Sequence, residues 1–399
     1  MAWPSIRALD ERLSAWHLRR CQNIADLRRV AERRVPAPMF HYMDGAAEDE
    51  VTLKRNSTDF ADWELLPRNL VDISHIDPST TVMGQKITFP VILAPTGMSR
   101  LFHWEGERAV SRAAARAGTI YSLSTMGTHS IEEVAAACLG PKWFQIYVFK
   151  DRGLVTEFIE RCKAARYHAL CLTIDLALTG NRERDLRTGM TVPPKFTLRS
   201  WFDFVLHPVW SMSFATSSPF SLANIAHRVN TVDQNNVNTL VSYIGEQFDR
   251  TVTWDDAAKM IAQWDGPFAI KGILTADDAK RAVDIGAKGI IVSNHGGRQL
   301  DHVPSPIGVL PEIVAAVGDR AEVIVDGGVR RGTDVLKALA LGARACMVGR
   351  SYLFGLGAGG EAGVTKALDI LRTEVVRDMA LLGTRNVAEI TSAYVRRRR

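Results

Sequence analysis

Between residues 91 and 350 one unit recurs eight times: a short apolar, β-branched run, a few polar or glycine residues, then a helical pattern. The runs are VILAPT (91–96), TIYSLST (119–125), WFQIYV (143–148), ALCLTID (169–175), FAIKG (268–272), GIIVSN (289–294), EVIVDGG (322–328) and ARACMVGR (343–350). They are continuous rather than alternating, as parallel strands covered on both faces must be. Helical patterns follow them at 106–118, 130–138, 152–166, 254–264, 275–286, 309–318, 331–342 and 361–382. Several open with Ser, Thr or Asp and stop at Gly, the usual capping asymmetry. Eight strand–helix units predict an α/β fold, a (β/α)8 TIM barrel; a large doubly wound sheet would satisfy the repeat count alone.

Three segments fall outside the repeat. Residues 1–90 read as an N-terminal helical extension, with a helical start at 22–34 and an exposed-looking FHYMDGAAEDE. Residues 176–253 form a long insertion after the fourth strand, on the catalytic face of a barrel that spans 91–383. Residues 384–399 form a basic C-terminal tail ending in RRRR, expected to be a solvated, disordered end.

The charge balance, 49 basic against 44 acidic residues for a net +5, argues against nucleic acid as a partner. Five cysteines without a C-x-x-C pair suit a reducing cytosol. The charged N-terminus lacks the apolar stretch of a signal peptide, and no apolar run is long enough to span a membrane. A cytoplasmic location is expected.

Side chains at the C-terminal ends of barrel strands face the active site. Those ends carry Pro95-Thr96-Gly97, Ser124, Gln145 and Tyr147, Thr173 and Asp175, Lys271, Ser293-Asn294-His295, Asp326-Gly327-Gly328 and Gly349-Arg350. Polar groups recurring where a core would use Val or Leu imply a polar ligand at the mouth. DGGVRRG (326–332) and VGRS (348–351) combine glycines with Arg330 and Arg350 after the last two strands, where barrels often bind phosphate.

SNHGGRQLD (293–301) puts His295 at a strand end and Arg298 three residues on. Histidine takes a proton near neutral pH, and arginine grips a carboxylate with a two-pronged bond. Asp175, two strands away, is placed to stabilise an imidazolium. Gly355, Gly357 and Gly360 match G-x-G-x-x-G, but no βαβ unit follows them, so the match is read as chance. The sequence has no H-E-x-x-H, Cys/His cluster or acidic metal box, so no metal is expected, and no G-x-S-x-G elbow.

These residues resemble the FMN-dependent 2-hydroxy acid dehydrogenase/oxidase family, most of all its bacterial membrane-associated L-lactate dehydrogenases, with mandelate dehydrogenases next. FHYMDG, LAPTG, WFQIYV, LTID, NRERD, KGI, SNHGGRQLD and DGGVRRG occur in the family's order. The resemblance implies His295 as catalytic base and Asp175 as its partner. It implies Arg182 and Arg298 on the substrate carboxylate, with Tyr42 and Tyr147 on its carboxylate and hydroxyl. FMN would meet Pro95, Thr96, Gly97, Ser124, Gln145, Thr173 and Ser293, and Lys271 would balance charge at the flavin. Asp326, Gly328, Arg330, Gly349 and Arg350 would hold the ribityl chain and phosphate.

The resemblance implies oxidation of an L-2-hydroxy acid, L-lactate first, with a quinone or cytochrome as electron acceptor and a homotetrameric assembly. Mandelate, or oxygen as acceptor, is the alternative; Gly97, where oxidases often carry Ala, leans towards a dehydrogenase. Seven aromatic residues lie in the insertion from Phe196 to Phe220, with Lys195 and Arg199 beside them. Such a stretch suits a bilayer interface, a lid or a tetramer contact. The resemblance favours peripheral contact of 196–220 with the inner face of the cell membrane.

Overall fold

The structure is a computed structural model describing residues 6–191, 194–228 and 247–398. Four helices come first: α1 (Ile6–Arg20), α2 (Ile24–Arg34), α3 (Ala37–Asp44) and α4 (Val51–Thr58). Three short strands follow, β1 (Trp63–Leu65), β2 (Thr80–Val82) and β3 (Gln85–Ile87). Then comes a closed parallel barrel of β4 (Val91–Leu93), β5 (Tyr121–Ser124), β6 (Lys142–Ile146), β7 (Ala169–Thr173), β8 (Phe268–Ile273), β9 (Gly289–Ser293), β10 (Glu322–Asp326) and β11 (Ala345–Val348), in chain order. Each strand coincides with one of the eight predicted runs, and closure excludes the doubly wound sheet. Most of the runs extend past the C-terminal ends of the strands, where polar residues leave the ladder to form the site.

The barrel helices are α5 (Gly106–Arg116), α6 (Ile131–Ala137) and α7 (Arg152–Ala164). After β7 the insertion contributes α8 (Glu183–Thr188), α9 (Leu198–Leu206) and α10 (Pro208–Ala215). The ring continues through α11 (Trp254–Trp264), α12 (Ala276–Asp284), α13 (Pro306–Val317), α14 (Gly332–Ala340) and α15 (Arg350–Leu382). Ser130 and Glu133 form a reciprocal capping box on α6, as the capping pattern predicts.

Period-2 alternation explains the site. Ala169 and Cys171 belong to a small cluster with Ile291, Ile324, Ala345 and Met347 inside the barrel, whereas Leu170 and Leu172 join the larger core beneath the helices. Continuing the inward parity upward gives Thr173, Lys271, Ser293 and Asp326: polar residues cap the apolar layers. Val82, Met83 and Ile87, from the β2–β3 hairpin, join the inner cluster at its other end.

Three readings need correction. FHYMDGAAEDE is exposed only at Glu48 and Asp49: Phe40 and Met43 join the core, Ala46 and Ala47 are buried, and Asp44 is buried against Arg28 at 2.7 Å and Arg184 at 2.9 Å. The tail does not end in disorder: β12 (Val395–Arg397) pairs antiparallel with β1, and Val395 is buried. The closing helix starts at Arg350, not 361, and breaks at Gly359 and Gly360. Its glycines hid that first segment. Gly355 and Gly357 lie within the helix and Gly360 at its break.

Candidate active site

A cavity of about 650 Å³ opens at the C-terminal ends of the strands. Of the nineteen residues singled out in the sequence, fifteen line it: Tyr42, Pro95, Thr96, Gly97, Ser124, Tyr147, Arg182, Lys271, His295, Arg298, Asp326, Gly328, Arg330, Gly349 and Arg350. Gln145, Thr173, Asp175 and Ser293 are not on the wall. Gln145, Asp175 and Ser293 hydrogen-bond to residues that are.

His295 Nδ1 meets Asp175 Oδ1 at 2.8 Å, and Tyr147 Oη lies 3.4 Å from His295 Nε2. Burial pushes the Asp175 carboxyl up, but His295 and Lys271 outweigh it and hold the group below its ordinary value. The Asp175 carboxylate is therefore ionised at neutral pH, with Oδ2 buried and unpartnered. A bulge in β8 makes room for it: the register with β9 slips between Lys271 and Ile273. A Cβ on Gly272, at φ +106°, would lie 2.9 Å from the Asp175 Cβ.

His295 itself adopts φ +57°, uncommon for a residue with a side chain. Its loop is fixed from both sides. Its N–H donates to Ser293 Oγ at 3.0 Å, and Asn294 exchanges amide hydrogen bonds of 2.8 and 2.7 Å with Asn56 of α4. The N-terminal extension thus helps to set the histidine.

Beside this pair, Arg182 and Arg298 approach the Tyr42 ring, at 5.4 and 4.9 Å from its centroid. Arg298 Nη1 donates to the carbonyls of Tyr42 (2.6 Å) and Gly45 (3.1 Å), and Arg182 Nε lies 3.2 Å from Asp185 Oδ2. Burial and then Arg182 depress the Arg298 guanidinium. Two guanidiniums beside an imidazole are an arrangement that can grip a carboxylate.

In the next part of the cavity Lys271 Nζ contacts Asp326 Oδ2 at 2.7 Å and Ser293 Oγ at 2.9 Å. Burial pulls the ammonium down, but Asp326 and Asp175 more than restore it, so it stays charged. Ser124 Oγ donates to Gln145 Oε1 at 2.9 Å, leaving the buried Gln145 Nε2 without a partner.

The far end holds the loops after β10 and β11 and the N-terminus of α15. A Cβ on Gly328, at φ +81°, would meet the Asn56 carbonyl oxygen at 1.7 Å, so only glycine lets the extension cross here. Arg330 Nη1 bonds the Val329 carbonyl and Ser351 Oγ. Arg350, read from the sequence as part of the phosphate site, is anchored by the backbone: Nε, Nη1 and Nη2 donate to the carbonyls of Met43, Gly296 and Gly45. Burial, then Arg298 and Arg330, pulls it to about 9. The half-buried guanidiniums of Arg298, Arg330 and Arg350 on one cavity favour an anionic occupant.

The sequence reading did not place Met39, Met43, Leu101, Phe102 or Leu353 on this wall. Spaced as ordinary core residues, they carried no signal. Among the described residues no cluster of three or more His, Cys, Asp or Glu is arranged to hold a metal, and no helix is long and apolar enough to cross a membrane.

The signature of the FMN-dependent dehydrogenase family matches residues 31–397. Glycolate oxidase 1 of Oryza sativa subsp. indica is 42% identical over 373 residues, covering 94% of this chain and 95% of its own length. The L-lactate dehydrogenase of Caulobacter vibrioides is 42% identical over 374 residues, covering 94% and 97%. The solved structure of the monotopic membrane protein (S)-mandelate dehydrogenase superposes with a TM-score of 0.90 at 35% identity, covering 95% of this chain and all of that one. With a histidine–aspartate pair and two arginines converging at the barrel mouth, the chain belongs to the FMN-dependent α-hydroxy acid dehydrogenase family and oxidises CH–OH donors.

Proposed function

We propose that this enzyme oxidises L-lactate to pyruvate and passes the electrons to a respiratory quinone or cytochrome. The observation that carries the proposal is the 2.8 Å contact between His295 and Asp175, beside Arg182 and Arg298. The residues suit FMN: the guanidiniums of Arg330 and Arg350 answer its phosphate, the N-terminus of α15 adds N–H donors, and Gln145 Nε2 is an unspent donor. Arg330, Gly328, Gly349 and Arg350 would hold the phosphate end, with Asp326 and Ser293 on the ribityl chain. Pro95, Thr96, Gly97, Ser124, Gln145 and Thr173 would flank the ring, and Lys271 would balance charge on it. When bound, FMN supplies a two-electron acceptor.

Arg182 and Arg298 hold the substrate carboxylate, with Tyr42 beside them. That fixes the Cα–H and the hydroxyl relative to His295. Tyr147, whose hydroxyl is kept neutral by burial, donates to the substrate oxygen. His295 Nε2 removes a proton, from the hydroxyl if the Cα hydrogen leaves as hydride, or from Cα if a carbanion forms. Asp175 stabilises the resulting imidazolium through Nδ1.

Two further observations bear on substrate and location. The cavity is also lined by Phe196, Trp201, Phe204, Trp210, Phe214 and Phe220, which favours mandelate or another aryl acid as the second reading. Helix α9 exposes Leu198, Trp201, Phe202, Val205 and Leu206, an i, i+3, i+4, i+7, i+8 stripe facing outward. That stripe, and the likeness to a monotopic membrane protein, support peripheral attachment to the inner face of the cell membrane. A homotetramer is part of the same reading.

The decisive experiment is an anaerobic absorbance spectrum before and after adding L-lactate. Rapid bleaching of bound flavin supports the lactate reading, and admitting air then separates dehydrogenase from oxidase. Bleaching by mandelate alone moves the assignment to aryl acids. Bleaching by no 2-hydroxy acid overturns it.

A further inference from the structure

We propose that Glu107 is a positioning residue for the cofactor, locking together the two loops that wall the flavin ring. Those loops leave β4 and β5. The first carries Thr96, Gly97 and Met98, the second Ser124 and Met126, and all five residues line the cavity. Strand pairing does not reach this wall, because β4 and β5 pair only where Leu93 stands opposite Tyr121. Something above the ladder must hold the loops in register.

Two contacts do so. The Met98 N–H donates to the Met126 carbonyl at 2.9 Å. Behind it, one oxygen of Glu107, in the first turn of α5, accepts from both loops: the Ser99 N–H at 3.1 Å and the Thr128 N–H at 2.9 Å. The other, Oε2, accepts the Thr128 hydroxyl at 2.5 Å and lies 2.8 Å from His129 Nδ1. Glu107 is wholly buried, and none of Ser99, Glu107, Thr128 and His129 lines the cavity.

A carboxylate in such a place is costly unless its oxygens are paired. Burial pushes the Glu107 carboxyl up, but His129 and Thr128 outweigh it and hold the group below its ordinary value. It is therefore ionised at neutral pH, and His129 donates through Nδ1. Bonds to a charged acceptor are stronger than neutral ones, so parting the loops strips a buried anion of its donors. A leucine would fill the same space without the cost of the charge, but it could not hold two backbone N–H groups to one point. The carboxylate clamp formed by Arg182 and Arg298 with Tyr42 belongs to other segments of the chain. Glu107 thus bears on cofactor affinity and on the ring's surroundings, and not on the hold on the substrate. The inference rests on the placing of FMN in this cavity.

The test follows release of FMN from the flavin-loaded full chain on dilution, read by flavin fluorescence. Glu107→Met removes every acceptor at similar length, and Thr128→Val removes one donor while keeping the shape. The FMN Kd should rise at least about tenfold in the first and about threefold in the second. The visible absorption band of the bound flavin should shift, while the KM for the hydroxy acid stays within about twofold. Thermal unfolding of the same samples reports stability. A lower Tm with FMN Kd and band unchanged would make Glu107 merely structural and overturn the proposal. So would a KM that rises in step with the Kd. If Glu107→Met does not fold, Thr128→Val decides by the same readings. A parent chain that binds no FMN would overturn the cofactor reading together with this one, whereas a loaded parent with unaltered variants overturns this one alone.

Discussion

Asp175 supports His295 through one oxygen, Oδ1 at 2.8 Å from Nδ1, while Oδ2 is buried with no partner. The carboxylate is thus oriented by the imidazole on one side and by the glycine bulge of β8 on the other. Asp175→Asn keeps the shape and removes the charge. The imidazolium formed during turnover then has no counter-charge, and flavin reduction should slow by about 10²–10⁴-fold. Stopped-flow bleaching under nitrogen measures this. A rate near that of the parent enzyme would leave Asp175 without a role in stabilising the imidazolium.

Arg298 spends one nitrogen on the carbonyls of Tyr42 and Gly45 and stacks on the Tyr42 ring, so its fork is held in a single orientation. Lysine cannot anchor and bind at once. Arg298→Lys should raise the substrate KM roughly 30- to 100-fold, the equivalent of one charge-assisted hydrogen bond, with a smaller change in kcat. Steady-state kinetics with a dye acceptor decides. An unchanged KM would remove Arg298 from the carboxylate clamp.

Much of this was legible in the sequence because barrel strands obey simple rules. Continuous apolar runs mark β4 to β11, and a polar residue at the next inward-facing position, such as Lys271 above Ala269, marks the mouth. Such local rules say nothing of contacts between distant segments. Asn56 pairs with Asn294 across 238 residues, and the three carbonyls on Arg350 belong to residues far away in the chain. That is also why FHYMDGAAEDE read as surface: its Asp44 is satisfied by Arg28 and Arg184, which sequence patterning does not bring near. The tail was misread because β12 finds its partner more than 300 residues earlier.

Asp301 illustrates such a long-range contact with a pH signature. Its two oxygens accept the Thr52 N–H at 2.7 Å and the Val51 N–H at 3.1 Å, capping α4 from the far end of the SNHGGRQLD segment. Burial pushes the carboxyl up, but the N–H groups of Thr52, His302 and Val51 with the Thr52 side chain outweigh it and bring the group to about 2. Because the folded value lies below the unfolded one, the stabilisation is complete above the ordinary carboxylate range and lost as pH falls towards 2. Asp301→Asn should cost about 1 kcal/mol at neutral pH. The gap to the parent should close on acidification, as read by thermal unfolding from about pH 6 to about pH 3. A gap that stays constant would show that the charge contributes nothing.

The outer face of α9 separates the membrane reading from a subunit contact. Phe202 and Val205 are 64% and 73% exposed and are absent from the cavity wall, so charging them leaves the site intact. Deleting the segment would not be so clean, because Trp201, Phe204 and Trp210 wall the cavity. Burying two such side chains in a bilayer interface gains roughly 3–5 kcal/mol, and placing carboxylates there costs more. Phe202→Glu with Val205→Glu should therefore lower vesicle partitioning at least ~100-fold while flavin bleaching by the hydroxy acid stays normal. If the helix instead packs against a second copy of the chain, partitioning will not change and the assembly will fall apart in sedimentation velocity.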